Sequence, residues 1–258
     1  MQSLIHVKPI EIEDNASFIT RFVSPAFNAT NKSRPFDEGV YAMYPELRGR
    51  ITNQLSMDEI YATVYPVVEA DLKKNEIVIN EKILEVQHKF DSFMNELVDC
   101  MYDLFELENK NEMDHMQCFV GHLPRFPRNV MEKTFFVSFD ADEIIYMAAV
   151  HEINHFFCFE KWKSMHGYDK NRESYHPESL WFLHELIVDP TLNEPKVQKI
   201  APYEQKAYPQ FYTQKIGDKP LMDHIKEFYH ERKSMAEFLD KSYEFIEKNI
   251  EEIVRKCG

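Results

Sequence analysis

Apolar residues recur at three- and four-residue steps over about 80–108: Ile83, Val86, Phe90, Phe93, Leu97, Met101, Leu104 and Phe105. That spacing lines one face of a helix, so it predicts a long helix whose stripe packs in the core. Helices are also expected from Pro35 to about Ser56 and over 57–74, where Pro66 should kink or end the second. Residues 1–35 carry a mixed pattern, and Asn28 to Pro35 reads as a loop by its Asn, Ser and Pro content. The pattern changes at 114–140. Gln117 to Val120 predicts a short strand, Gly121 to Arg128 a Pro-broken loop, and Thr134 to Phe139 a β-branched and aromatic strand. Asp140, with Glu143 three residues on, reads as a capping box that opens a helix over about 141–162. After a polar stretch at 163–175, Pro177 can open a helix that runs to Asp189, where Pro190 stops it. Residues 196–216 look irregular, and 219–255 reads as a helix or helix pair with Ile225, Phe228, Met235, Phe238, Leu239 and Ile246 on its apolar face. The pattern as a whole predicts a mainly α fold with a small β-sheet (α+β). It divides into a helical stretch 1–113, a core 114–195 and a helical stretch 196–258, packed as one unit.

Composition narrows the function classes. With 258 residues, 44% apolar and 29% charged, the chain can bury a large core without a disulfide scaffold. Six glycines argue against all-β barrels and Gly-rich nucleotide loops. A net charge of −14 argues against nucleic-acid binding and against docking on an anionic membrane. The four cysteines, at 100, 118, 158 and 257, form no CxxC pair, which excludes a Cys-based zinc finger or thioredoxin-type motif, and so few in a chain of this size suit a reducing compartment. The first residues lack the basic and apolar regions of a signal peptide, and the most apolar run, Ile144 to Val150, is too short to span a bilayer. A cytoplasmic protein is expected.

The helix at 141–162 carries His151-Glu152-Ile153-Asn154-His155. Two histidines four apart point the same way, one turn apart, and their imidazoles can hold one Zn²⁺ at ~2.0–2.1 Å each. The glutamate after the first histidine lies beside the metal, where it can take a proton from metal-bound water. Apolar neighbours on both sides, from Ile144 to Ala149 and at Phe156, Phe157 and Phe159, predict a buried helix. A chain with 11 histidines meets this pattern by chance in roughly one case in twenty, so two packed histidines on an ordinary helix are a real alternative. A second segment changes the balance. In Trp181-Phe-Leu-His-Glu185-Leu-Ile-Val-Asp189, two acids lie one turn apart on an apolar helix, where a carboxylate is costly unless it is paired or ligates a metal. Glu185 suits a third ligand. Asp189 suits an acceptor for a ligand's ring N–H, in the first place that of His151. His184 is the other candidate ligand, but it projects about 100° away from Glu185 around the helix. Cys158 reads as a small buried hydrophobe.

At these residues the sequence resembles the gluzincin metallopeptidases, the thermolysin-like group, whose signature is HExxH on one helix and ExxxD on a following one. The resemblance covers about residues 117–190. It implies a zincin-like catalytic core, in which an active-site helix follows an edge strand. It implies that His151, His155 and Glu185 bind Zn²⁺, that Glu152 is the general base and then the proton donor, and that Asp189 orients a ligand. There are departures. Pro190 disfavours the α conformation at Asp189. No motif marks the Tyr or His that stabilises the oxyanion, for which Tyr168, Tyr175, His176, Tyr203 and Tyr208 are candidates. The metzincin pattern is excluded, because Cys158 and Lys161 stand where it needs Gly and His. The expected function is a zinc-dependent peptidase acting on a peptide or protein laid along strand 134–139 as an added strand. The competing expectations are another metal hydrolase, a proteolytically silent relative that binds a partner, and a metal-free helical interaction protein.

Overall fold

The computed structural model describes residues 3–30, 35–167 and 174–258. In chain order its elements are β1 (Ile5–Pro9), α1 (Ile12–Val23), α2 (Pro25–Thr30), α3 (Asp37–Met43), α4 (Met57–Phe105), β2 (Met116–Gly121), β3 (Arg128–Asn129), β4 (Thr134–Ser138) and α5 (Ile144–His166). They continue with α6 (Ser179–Leu186), α7 (Val188–Leu192), α8 (Pro195–Ile200), α9 (Pro209–Thr213), β5 (Lys215–Ile216), β6 (Lys219–Pro220), α10 (Leu221–Glu231), α11 (Met235–Lys248) and α12 (Ile250–Cys257). The fold is mainly α with a small β-sheet, as the pattern predicts.

The two helices expected over 57–108 are one helix, α4, of 49 residues. A capping box starts it: the Ser56 hydroxyl accepts from the Glu59 N–H, and the Glu59 carboxylate accepts from the Ser56 N–H. Pro66 neither ends it nor separates its two halves. Buried Ile60, Val64, Val68, Leu72, Ile79, Val86, Phe90 and Met94 form one unbroken stripe through that point, so tertiary packing outweighs the local cost of proline. The reverse happens at 35–56. There α3 ends at Met43, because Tyr44 precedes Pro45 and leaves the α region at φ −123°, ψ 69°. A 3₁₀ turn at Pro45–Leu47 follows.

The main sheet runs in the order β1-β2-β4-β3. β1 and β4 both pair parallel to β2, and β3 lies antiparallel to β4. β1 lies in the stretch whose pattern is mixed, and its Ile5 pairs with Met116. The sheet therefore crosses the boundary expected at 113/114. Strand 134–138 is not the edge. β3 covers it, with Arg128 opposite Phe135 and the Phe136 N–H donating to the Pro127 carbonyl at 2.9 Å. Gly121, the last residue of β2, allows α1 to dock: a Cβ there would run into the Asn15 amide and Ile10. That amide donates to the His122 carbonyl and accepts from the His122 N–H.

Further local expectations shift. α2 extends through Asn28, where a loop is expected. α5 begins at Ile144 without a capping box, because Asp140 accepts from the Ser138 hydroxyl instead. It then runs on to His166, where Gly167 turns the chain at φ 66°. The break expected at Pro190 falls at Ile187, and Pro190 sits inside the first turn of α7, where a missing N–H costs little. The irregular stretch 196–216 contains α8, α9 and β5, and the last stretch is three helices. Buried apolar residues from all three predicted stretches form one cluster. Among the described residues, no helix is long and apolar enough to cross a membrane.

Candidate metal centre

α5 is buried over most of its length, with Tyr146, Ala149, Val150, Ile153, Phe156, Phe157 and Phe159 all in the core. That burial fixes the direction in which its polar residues can point. His151 and His155 lie on one face, and their Nε2 atoms approach to 2.9 Å. His155 is wholly buried and His151 lies nearer the surface. α6 brings Glu185 alongside: its Oε2 is 3.9 Å from His151 Nε2 and its Oε1 is 3.9 Å from His155 Nε2. One ligand atom from each of these three residues falls within a common span of 4.8 Å. The structure thus brings together the three residues expected as ligands, from two separate elements.

This donor set fits a dication. Burial pulls the pKa of His155 well below the usual histidine value, so the ring is neutral and offers a lone pair. Two neutral imidazoles and one carboxylate are a ligand set that zinc takes where a fourth position stays open. His155 Nδ1 has no hydrogen-bond partner among the described residues. Zinc-ligating histidines usually have such a partner.

Glu152 lies beside this group and is buried. Burial raises its pKa, and the Arg128 guanidinium partly opposes that shift. Arg128 is the residue the sequence pattern misses. Its Nη1 donates to Glu152 Oε2 at 3.2 Å, and its Nη2 lies 3.5 Å from Glu185 Oε1. It sits in a Pro-broken stretch that carries no period, so only the pairing of β3 with β4 places it here.

Asp189 has other partners than those expected. Tyr212 donates its hydroxyl to Oδ2 at 2.5 Å, and Lys226 Nζ lies 2.9 Å from Oδ1. The carboxylate ties α7 to α9 and α10 and bonds neither ligand histidine. It is helical despite Pro190, since that proline lies within the same first turn. His184 is buried with Nε2 unpartnered, its ring 6.2 Å from that of His155, and burial takes its pKa down to about 3. Cys158 is a buried thiol whose pKa burial raises.

A cleft of about 740 Å³ opens onto His151 and Glu152, with Leu123, Phe126, Ile144 and Met147 among its walls and Arg125 and Lys206 beside them. Of the candidates for oxyanion stabilisation, Tyr168 lies outside the described residues. None of the others lines this cleft. His176 packs on Trp181 and Phe182, Tyr203 on Tyr146 and Phe93, and Tyr208 on Trp181 and Phe211, while Tyr175 is exposed. No known protein family, curated protein or solved structure matches this chain.

Proposed function

We propose that this chain is a zinc-dependent metallopeptidase of the gluzincin kind, with His151, His155 and Glu185 holding the metal and Glu152 acting as general base. The observation that supports it is the convergence of two histidine nitrogens and a carboxylate beside a second buried carboxylate, with His151 and Glu152 lining a cleft. Zinc in that position supplies Lewis acidity toward a carbonyl oxygen and makes water more acidic. Glu152 takes the proton from the attacking water and hands it to the departing nitrogen. Its dry surroundings make it a stronger base than an exposed glutamate. Ile144 and Met147 of α5 give the cleft an apolar wall against which a substrate side chain can pack. The four thiols are unbridged, which suits a reducing compartment such as the cytoplasm.

One observation favours a second reading on the same centre, a hydrolase of a non-peptide bond. β3 covers the strand along which an extended peptide was expected to lie. Elemental analysis of wild type, His155→Ala and Glu185→Ala tests the centre. About one zinc per chain, lost or much weakened in both variants, is the expected result. A wild type that takes up no zinc on addition overturns both readings. A peptide-library screen of the zinc-loaded protein then separates peptidase from other hydrolase.

A further inference from the structure

Glu185 has two faces. Its carboxylate is turned toward the two histidines, yet Oε1 lies 3.5 Å from Arg128 Nη2 and 3.9 Å from His155 Nε2. The same guanidinium donates to Glu152. Arg128 is not a surface arginine that wandered in: its side chain is only 15% exposed, and the pairing of its backbone with Phe135 fixes where it starts. It joins the proposed base to the proposed third ligand.

The charges decide what that means. Arg128 lies against a carboxylate oxygen of Glu152 and one of Glu185, and a dication held by Glu185 beside the two histidines would sit close to that guanidinium and be repelled by it. Unbalanced charge in a buried site is costly. Arg128 therefore steadies the centre before metal arrives and opposes it afterwards.

Resting on the zinc reading above, we infer that Arg128 is a built-in counter-cation that holds Glu152 and Glu185 in place in the unloaded centre and competes with the metal for them. It sets the zinc affinity below the value that this ligand set would otherwise give. Occupancy then follows metal supply over a range in which a tighter centre stays filled. Arg128 acts through Glu152 and Glu185, as a positioning residue.

The test measures zinc affinity by competition with a chromophoric chelator for wild type, Arg128→Met, Arg128→Gln and Arg128→Lys. Each protein is also melted in EDTA and in excess zinc. Arg128→Met and Arg128→Gln are expected to bind zinc tighter by on the order of tenfold or more, since a full charge leaves a partly dry site. Both should melt below wild type in EDTA and gain more on adding zinc. Arg128→Lys keeps the charge and should stay near the wild-type affinity. Equal or weaker binding in the two neutral variants overturns the inference, because Arg128 would then be aligning Glu185 for the metal. Wild type that binds no zinc is a separate result, which removes the metal centre itself.

Discussion

Glu152 is held between burial, which raises its pKa, and Arg128, which lowers it. Its carboxylate is the proton acceptor of the proposed reaction and not a ligand, so substitution should divide the two roles. Glu152→Gln is expected to keep its zinc by elemental analysis and to lose turnover by roughly 10²–10⁴-fold on any confirmed substrate; normal turnover would move the base elsewhere. His184 offers a test that needs no substrate. Its folded pKa, about 3, lies below the ordinary value of 6.5, because burial disfavours the imidazolium. The unfolded chain therefore binds the extra proton between those values. Stability from this residue is fully present above about pH 6.5 and is lost as pH falls toward 3. Urea unfolding of metal-free protein at pH 7 and pH 5 should show the loss, and His184→Leu should shrink it by about 2 kcal/mol. An unchanged loss in the variant would mean that His184 is protonated without cost in the fold.

At the scale of elements, α4 carries a residue its own backbone does not favour. Pro66 is exposed, gives no N–H to the turn before it and crowds the carbonyl of Ala62. Pro66→Ala removes that cost and exposes no core, and it is expected to stabilise the protein by about 1–2 kcal/mol in urea titration. A loss of stability would show that the proline shapes the helix for its neighbours. The same contrast explains what can be read from the chain. The stripe of α4, the strand at 134–138 and the paired histidines of α5 depend on spacing within one element, so they are legible. β1 is not, because its partner strand lies more than 100 residues on and nothing local marks it. Pro66 misleads because the evidence against a break is a buried stripe extending to both sides of it. Glu185 is legible as an acid on an apolar helix, whereas the partners of Asp189 sit on later helices that no spacing connects to it. Arg128 is the extreme case, since a two-residue strand brings it to the centre.

For the whole molecule the question is whether the centre can loosen apart from the rest. A chain of 258 residues is long enough to contain two parts that melt separately. The contacts argue otherwise. α4 packs on α1, β1, α5 and α8, so it touches both the amino-terminal layer and the helix that carries the histidines. β1 and β2 join the stretches on either side of residue 113 in one sheet. α11 packs on both α5 and α6, the two helices that supply the ligands. The two tryptophans, Trp162 on α5 and Trp181 on α6, report on the centre, while far-UV circular dichroism is weighted toward the 49 residues of α4. Fluorescence and dichroism should therefore give coincident urea transitions with the same midpoint. A fluorescence transition at lower urea would mean that α5 and α6 come apart while α4 stands. The ligand geometry would then be a local property of two helices, and zinc would be expected to move the fluorescence midpoint alone. With one cooperative unit, zinc moves both midpoints together by the same amount, because every contact that holds His151, His155 and Glu185 in place is lost in the same step.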